Sequence, residues 1–127
     1  MTRKIIAKRY IDHLERGDVK KIIDLFNENG VVHSPLYGVK TANAFYNDLS
    51  RDTTNSELRL LGIFEDDDSN HLALYFTYIW TLKNNKKVEF DVVDIIEFDI
   101  HNKINKLKII YDTVITRELV GQLSNQI

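Results

Sequence analysis

The chain has 127 residues, 43% of them hydrophobic and 28% charged, with a formal net charge of −2. That length suits a single domain, residues 1–127, around one core, and the near-neutral charge gives no electrostatic reason to expect nucleic acid as a partner. There is no cysteine, which excludes disulfides, thiolate metal sites and thiol chemistry and fits a reducing compartment.

The basic N-terminus, Met1 to Tyr10, is followed by no long apolar run. Neither a signal peptide nor a membrane span is expected, and the expected location is cytoplasmic. Ile6, Tyr10, His13 and Leu14 recur at helical spacing, which predicts an amphipathic helix over about residues 3–16. Gly17 ends it, and Asp18 caps a second short helix carrying Val19, Ile22, Ile23 and Phe26, stopped by Asn29-Gly30. Val31-Val32-His33-Ser34 reads as a short extended piece closed by Pro35, the only proline. Leu36-Tyr37-Gly38-Val39 reads as a loop. Thr41 caps a third helix through Ala44, Phe45 and Leu49 to about Asp52, and Asp52 to Asn55 reads as a polar break.

From there the chain is strand-like. Leu58, Leu60, Gly62 and Phe64 alternate with Arg59, Leu61, Ile63 and Glu65. After the turn Asp66 to Asn70, a strand carries Leu72, Leu74, Phe76, Tyr78, Trp80 and Leu82 on one face. Asn84-Asn85 turns into Phe90-Asp91-Val92-Val93-Asp94-Ile95-Ile96-Glu97-Phe98. One face of that strand holds Val88, Phe90, Val92, Ile96, Phe98 and Ile100, interrupted only by Asp94. A carboxylate in an apolar stripe must be neutral, paired or facing a cavity, because burying an unpaired charge is costly. The last strand places Leu107, Ile109, Tyr111, Thr113 and Ile115 on one face, with Asp112 on the other; the tail from Arg117 reads as a short or frayed helix. The order predicts an α+β fold, helices packed on one side of a four-strand antiparallel meander. The opposite face, with Tyr75, Ile79, Val93 and Ile95, would leave an apolar patch, so a homodimer through this outer sheet face is expected.

Two stretches carry a resemblance that extends over nearly the whole chain. Arg9-Tyr10-Ile11 through Gly17-Asp18-Val19 is similar to the opening of the nuclear transport factor 2-like superfamily. Phe90 to Asp99, followed by Ile100-His101-Asn102-Lys103-Ile104, resembles the ketosteroid-isomerase version of its C-terminal strands, and the frame is shared with the SnoaL-like branch. The resemblance implies a cystatin-like cone: three N-terminal helices on a curved, mostly antiparallel sheet enclosing a pocket. It also implies roles. Tyr10 stands where the isomerase has a tyrosine donor, Asp94 where it has a protonated aspartic acid, and Tyr46 where a second tyrosine supports the first. The proton-moving aspartate falls on Ser34, and serine accepts no proton near pH 7 without a separate base. A neutral aspartic acid acting as donor in ketosteroid isomerase is itself a standard example of pKa tuning.

For a replacement base the candidates are His13, one turn beyond Tyr10, and a water held by Ser34; His33 points away from Ser34's side, and Asp112 away from Tyr111's. Phe26, Leu49, Phe76 and Tyr111 are candidate pocket walls, with Ser34 and Tyr46 as polar contacts to a substrate. No metal site is expected: a calcium loop at Glu65 to Asp68 fails, since its sixth position would be His71, not glycine, and its twelfth Thr77, not glutamate. No cofactor is expected. Three functions stay open: an isomerase, cyclase or lyase acting on a small apolar carbonyl compound, a non-catalytic binder of an apolar or phenolic molecule, and a protein-interaction module. Ser34 favours the last two; the Tyr10 and Asp94 pair favours the first two.

Overall fold

A computed structural model describes residues 2–124, with nothing stated of the Ser124 side chain. Helix α1 (Arg3–Arg16) starts on Thr2, whose hydroxyl accepts from the Ile5 N–H, and ends at Gly17 in the left-handed region, φ 69°. Its buried face is Ile6, Ala7, Tyr10 and Leu14; of the expected stripe, His13 is only half-buried, and Ala7 takes a place on the face instead. Helix α2 (Val19–Ile23) is capped by the Asp18 side chain, and α3 (Ala42–Asp52) by Thr41.

Strands β1 (Phe26–Ser34), β2 (Gly38–Thr41), β3 (Thr53–Glu65), β4 (His71–Leu82), β5 (Lys87–Phe98) and β6 (Ile104–Ile110) form one sheet in the order β2-β1-β6-β5-β4-β3. All neighbours are antiparallel except β1 and β6. A fourth helix, α4 (Val114–Ser124), follows. The fold is α+β, with the helices against a curved, open, mixed sheet. The core is the inner face of β4 and β5 against α1 and α3; Leu72, Leu74, Trp80 and Ile96 are almost fully buried there.

Several expected boundaries move, each for a tertiary reason. The second helix stops at Ile23, and Phe26 opens β1 instead of closing a helix. Phe26 lies opposite Ile104 of β6, and the Asn27 amide donates to Asp99 Oδ2 (3.0 Å) and Asn105 Oδ1 (3.1 Å). Pairing to a distant strand outweighs local apolar spacing. The register shifts between Phe26 and Val31, and Gly30 sits in that shift, where an added Cβ would lie 2.8 Å from Phe26 Cδ2.

The loop expected at Leu36–Val39 is half strand, since β2 begins at Gly38. The polar break at Asp52–Asn55 is the start of β3, where the Trp80 Nε1 N–H donates to Thr53 Oγ1 (2.7 Å). The alternation expected along β3 is broken by a bulge between Leu60 and Gly62. The last strand ends at Ile110. Asp112 Oδ1 accepts from the Val114 N–H (3.1 Å) and turns the chain into α4, so Thr113 and Ile115 do not lie on the strand face. No helix among the described residues is long and apolar enough to cross a membrane.

Candidate functional site

The strand period brings Asp94 to the inner face of β5, between Leu74 of β4 and Ile109 of β6. Asp94 is 1% exposed, and its Oδ1 is buried without a hydrogen-bond partner. Burial raises its pKa well above the ordinary carboxylate range, so the acid is held toward its neutral form. It faces a cavity of about 50 Å³ beneath α1 and α3. Its aromatic walls include Phe45, Phe76, Tyr78, Trp80, Phe90 and Tyr111. Tyr78 stacks on Phe90 at 5.6 Å between centroids, and Phe90 on Tyr111 at 4.5 Å, which makes one side a continuous aromatic surface.

The polar groups reaching this cavity are few. Tyr10 lines it from α1, and its hydroxyl is 2.6 Å from that of Tyr46. Burial raises the pKa of both phenols, Tyr10 well above its usual value, so both keep their protons. Tyr46 is not itself a wall; it lies behind Tyr10, edge-on to it at 6.1 Å. Ser34 is a wall, and its Oγ accepts from the backbone N–H groups of Leu36 (3.1 Å) and Tyr37 (3.0 Å). That hydroxyl caps the turn after β1 and keeps only its own proton to offer a ligand.

Of the residues singled out from sequence, Tyr10, Asp94, Ser34, Leu49, Phe76 and Tyr111 share this cavity. His13 and Phe26 do not line it. His13 sits 4.0 Å from the Asp12 carboxylate, and Phe26 packs behind Tyr46 at 5.8 Å between rings. Asp112 is exposed and His33 half-buried, both outside the walls. Among the described residues no group of three or more histidines and acids is arranged to hold a metal.

Tyr37 has no role in the sequence reading, yet it is a cavity wall. Its hydroxyl donates to Asp52 Oδ2 at 2.6 Å, and its ring stands edge-on to Phe45 at 5.7 Å. Burial and the neighbouring Asp52 carboxylate push the Tyr37 phenol pKa up, so the phenol keeps its proton. An aromatic residue two positions after a Ser-Pro turn is the signal that could have flagged it.

A second, larger groove of about 260 Å³ lies between the ends of α1 and α3 and the start of β3. It shares Leu14, Leu49 and Tyr78 with the inner cavity. Its buried hydroxyls are satisfied internally: Ser56 with Tyr78 at 2.7 Å, and Thr53 with Leu49 O and Trp80. Of the two, the cavity that holds Asp94 is therefore the one with an unsatisfied buried polar atom.

The profile of the SnoaL-like domain matches residues 7–106. No curated protein sequence matches significantly. Solved structures are similar over most of the chain. An NTF2-like protein of unknown function from Burkholderia pseudomallei is 14% identical with a TM-score of 0.80, covering 94% of this chain and 98% of its own. A protein with a cystatin-like fold from Methylobium petroleophilum is 19% identical with a TM-score of 0.73, covering 86% of this chain and 74% of its own. SalBIII, an epoxide hydrolase/cyclase-like enzyme of pyran ring formation in salinomycin, is 18% identical with a TM-score of 0.74, covering 87% and 90%. At these identities the likeness shows the fold.

Proposed function

The chain belongs to the SnoaL-like domain family of the nuclear transport factor 2-like superfamily, and from that premise we propose that its cavity binds a small apolar carbonyl or phenolic compound by its oxygen. One observation carries the reading: Asp94 Oδ1 is buried without a partner in a cavity of otherwise mostly apolar walls. An unsatisfied buried polar group costs about 1–3 kcal/mol, and a ligand oxygen would offset that cost. A neutral Asp94 donates to this oxygen. With Tyr46 as the donor in the 2.6 Å hydroxyl pair, the Tyr10 proton is free to do the same. Two donors fixed in a dry site stabilise an oxyanion as it develops, and removing one such donor typically costs about 10²–10³ in rate.

The reaction that fits is an isomerisation or cyclisation through an enolate, with Asp94 and Tyr10 on the enolate oxygen. The similar structure of SalBIII, a cyclase-like enzyme of pyran ring formation, is compatible with ring-closing chemistry on this fold. At about 50 Å³ the cavity holds only a few waters, so a ligand must displace half-buried lining side chains such as Leu36 and Leu49. A second reading, binding without chemistry, is favoured by Ser34, whose hydroxyl is committed to the turn.

The test is binding of a naphthol, followed by fluorescence, to wild type, Asp94→Asn and Asp94→Leu. Asparagine keeps a donor, so it should retain most of the affinity, while leucine should lose about tenfold or more, the weight of one hydrogen bond in a dry site. Equal binding by the two variants would remove Asp94 from the site.

A further inference from the structure

The donors leave the proposed reaction short of a proton acceptor. Asp94 is the only carboxylate among the cavity walls, and burial keeps it protonated. Tyr10 and Tyr46 are neutral phenols sharing a hydrogen bond, Ser34 accepts two backbone N–H groups, and His13 lies outside the walls. One carboxylate is nevertheless joined to the cavity by a single short hydrogen bond. Asp52, at the C-terminus of α3, accepts from the hydroxyl of Tyr37, whose ring forms the cavity wall beside Phe45.

We infer that Tyr37 and Asp52 are the proton-accepting arm of the site, with Tyr37 Oη taking a proton from the carbon next to the substrate carbonyl as its own proton passes to Asp52 Oδ2. The inference rests on the enolate reading above. The C–H electron pair becomes the C=C bond of the enolate, and the carbonyl π electrons move onto the oxygen held by Asp94 and Tyr10. Tyr37 is neutral before and after, and Asp52 ends as a carboxylic acid. Reversing the relay at the γ-carbon delivers the proton there and restores the Asp52 carboxylate, so isomerisation needs no further reactant. Tyr37 is the catalytic residue; Asp52 acts through it.

The arm is built to stay in place. Asp52 is at the end of α3, its backbone carbonyl accepts from the Lys83 N–H (3.0 Å), and Arg51 Nε lies 3.9 Å from its Oδ1. Tyr37 follows the turn that Ser34 caps. The serine at the position of the family's proton carrier thus supports the residue that replaces it.

The experiment uses a β,γ-unsaturated cyclohexenone in deuterated water. Deuterium uptake is followed by NMR and conversion by absorbance, with naphthol binding measured alongside. Wild type should exchange the α-proton. Tyr37→Phe and Asp52→Asn should each lower kcat by about 10²-fold or more, the usual weight of a general base, with KM and naphthol affinity little changed. Asp52→Glu should restore part of the loss, which a purely structural tie would not do at constant stability. Urea unfolding of each variant checks that the fold persists. Wild-type exchange rates in Tyr37→Phe, or an inert wild type, would overturn the inference. If naphthol still binds in an Asp94-dependent way, the donor reading survives that failure; if it does not, both fall.

Discussion

Asp94 sets function against stability at one residue. Its buried oxygen has no partner, so Asp94→Leu, close in size and apolar, should raise unfolding free energy by about 1–3 kcal/mol while weakening ligand binding about tenfold or more. Urea titration at neutral pH measures this, and a destabilised leucine variant would mean the acid has a role in packing. The pH dependence has a definite sign. The unfolded aspartate titrates near ~3.9, and burial raises the folded value well above that. Between those values the native state binds one more proton than the unfolded state, so stability falls as pH rises. Below about pH 4 the difference vanishes. Asp94→Asn has no such proton, so wild type should lose stability relative to it from about pH 4 upward, read from urea midpoints across the range. The position of Asp94 was legible because strand alternation is strict and one acid stands out in it. Tyr37 and Asp52 were not. One lies in a turn and the other at a helix end, where side-chain direction follows from the Ser34 cap and the α3–β3 junction rather than from any period.

At the scale of elements, the outcome turned on long-range pairing. Helices α1 and α3 could be read from spacing and capping residues, since both signals are local. β1 could not, because Phe26 continues a helical spacing from Val19 and only its pairing with β6 draws it into the sheet. The join depends on Gly30, where Phe26 leaves no room for a side chain. Gly30→Ala should therefore destabilise by about 1–3 kcal/mol, as overpacking does, and Phe26→Leu in the same chain should recover part of the loss by freeing that space. Thermal unfolding of the single and double variants measures the coupling, and additive effects would mean the contact is not the cause. The effect reaches the site, because β1 carries Ser34 at its end and hence the turn that presents Tyr37. α4 likewise escaped the strand pattern: Asp112 looks like a strand residue but caps a helix whose Arg117 guanidinium donates to Pro35 O, at the same turn.

At the scale of the whole molecule, the inner face of the sheet is accounted for and the outer face is not. Tyr75, Ile79, Val93 and Ile95 are only half-buried there. We propose that a second copy covers them. Six strands about 4.8 Å apart, with β4 and β5 running about 40 Å, present a face on the order of 1,000 Å², against about 800 Å² per partner in an ordinary stable interface. Its charges suit a twofold. Glu89, Asp91 and Glu97 lie on the outer face of β5, and Lys106 and Lys108 on that of β6, with Glu97 directly opposite Lys106 in register. Rotating one copy over the other sets the acids of one protomer above the lysines of the second, so the same patch is complementary to itself. Wild type should then sediment as a dimer. Ile95→Lys, which puts a charge at the apolar centre, should sediment as a monomer and still bind naphthol, because Ile95 points away from Asp94 and the cavity. A wild type that stays monomeric at high concentration would discard the interface, and a monomeric variant that loses the ligand would tie the cavity to the dimer, since β5 carries both faces on alternate residues.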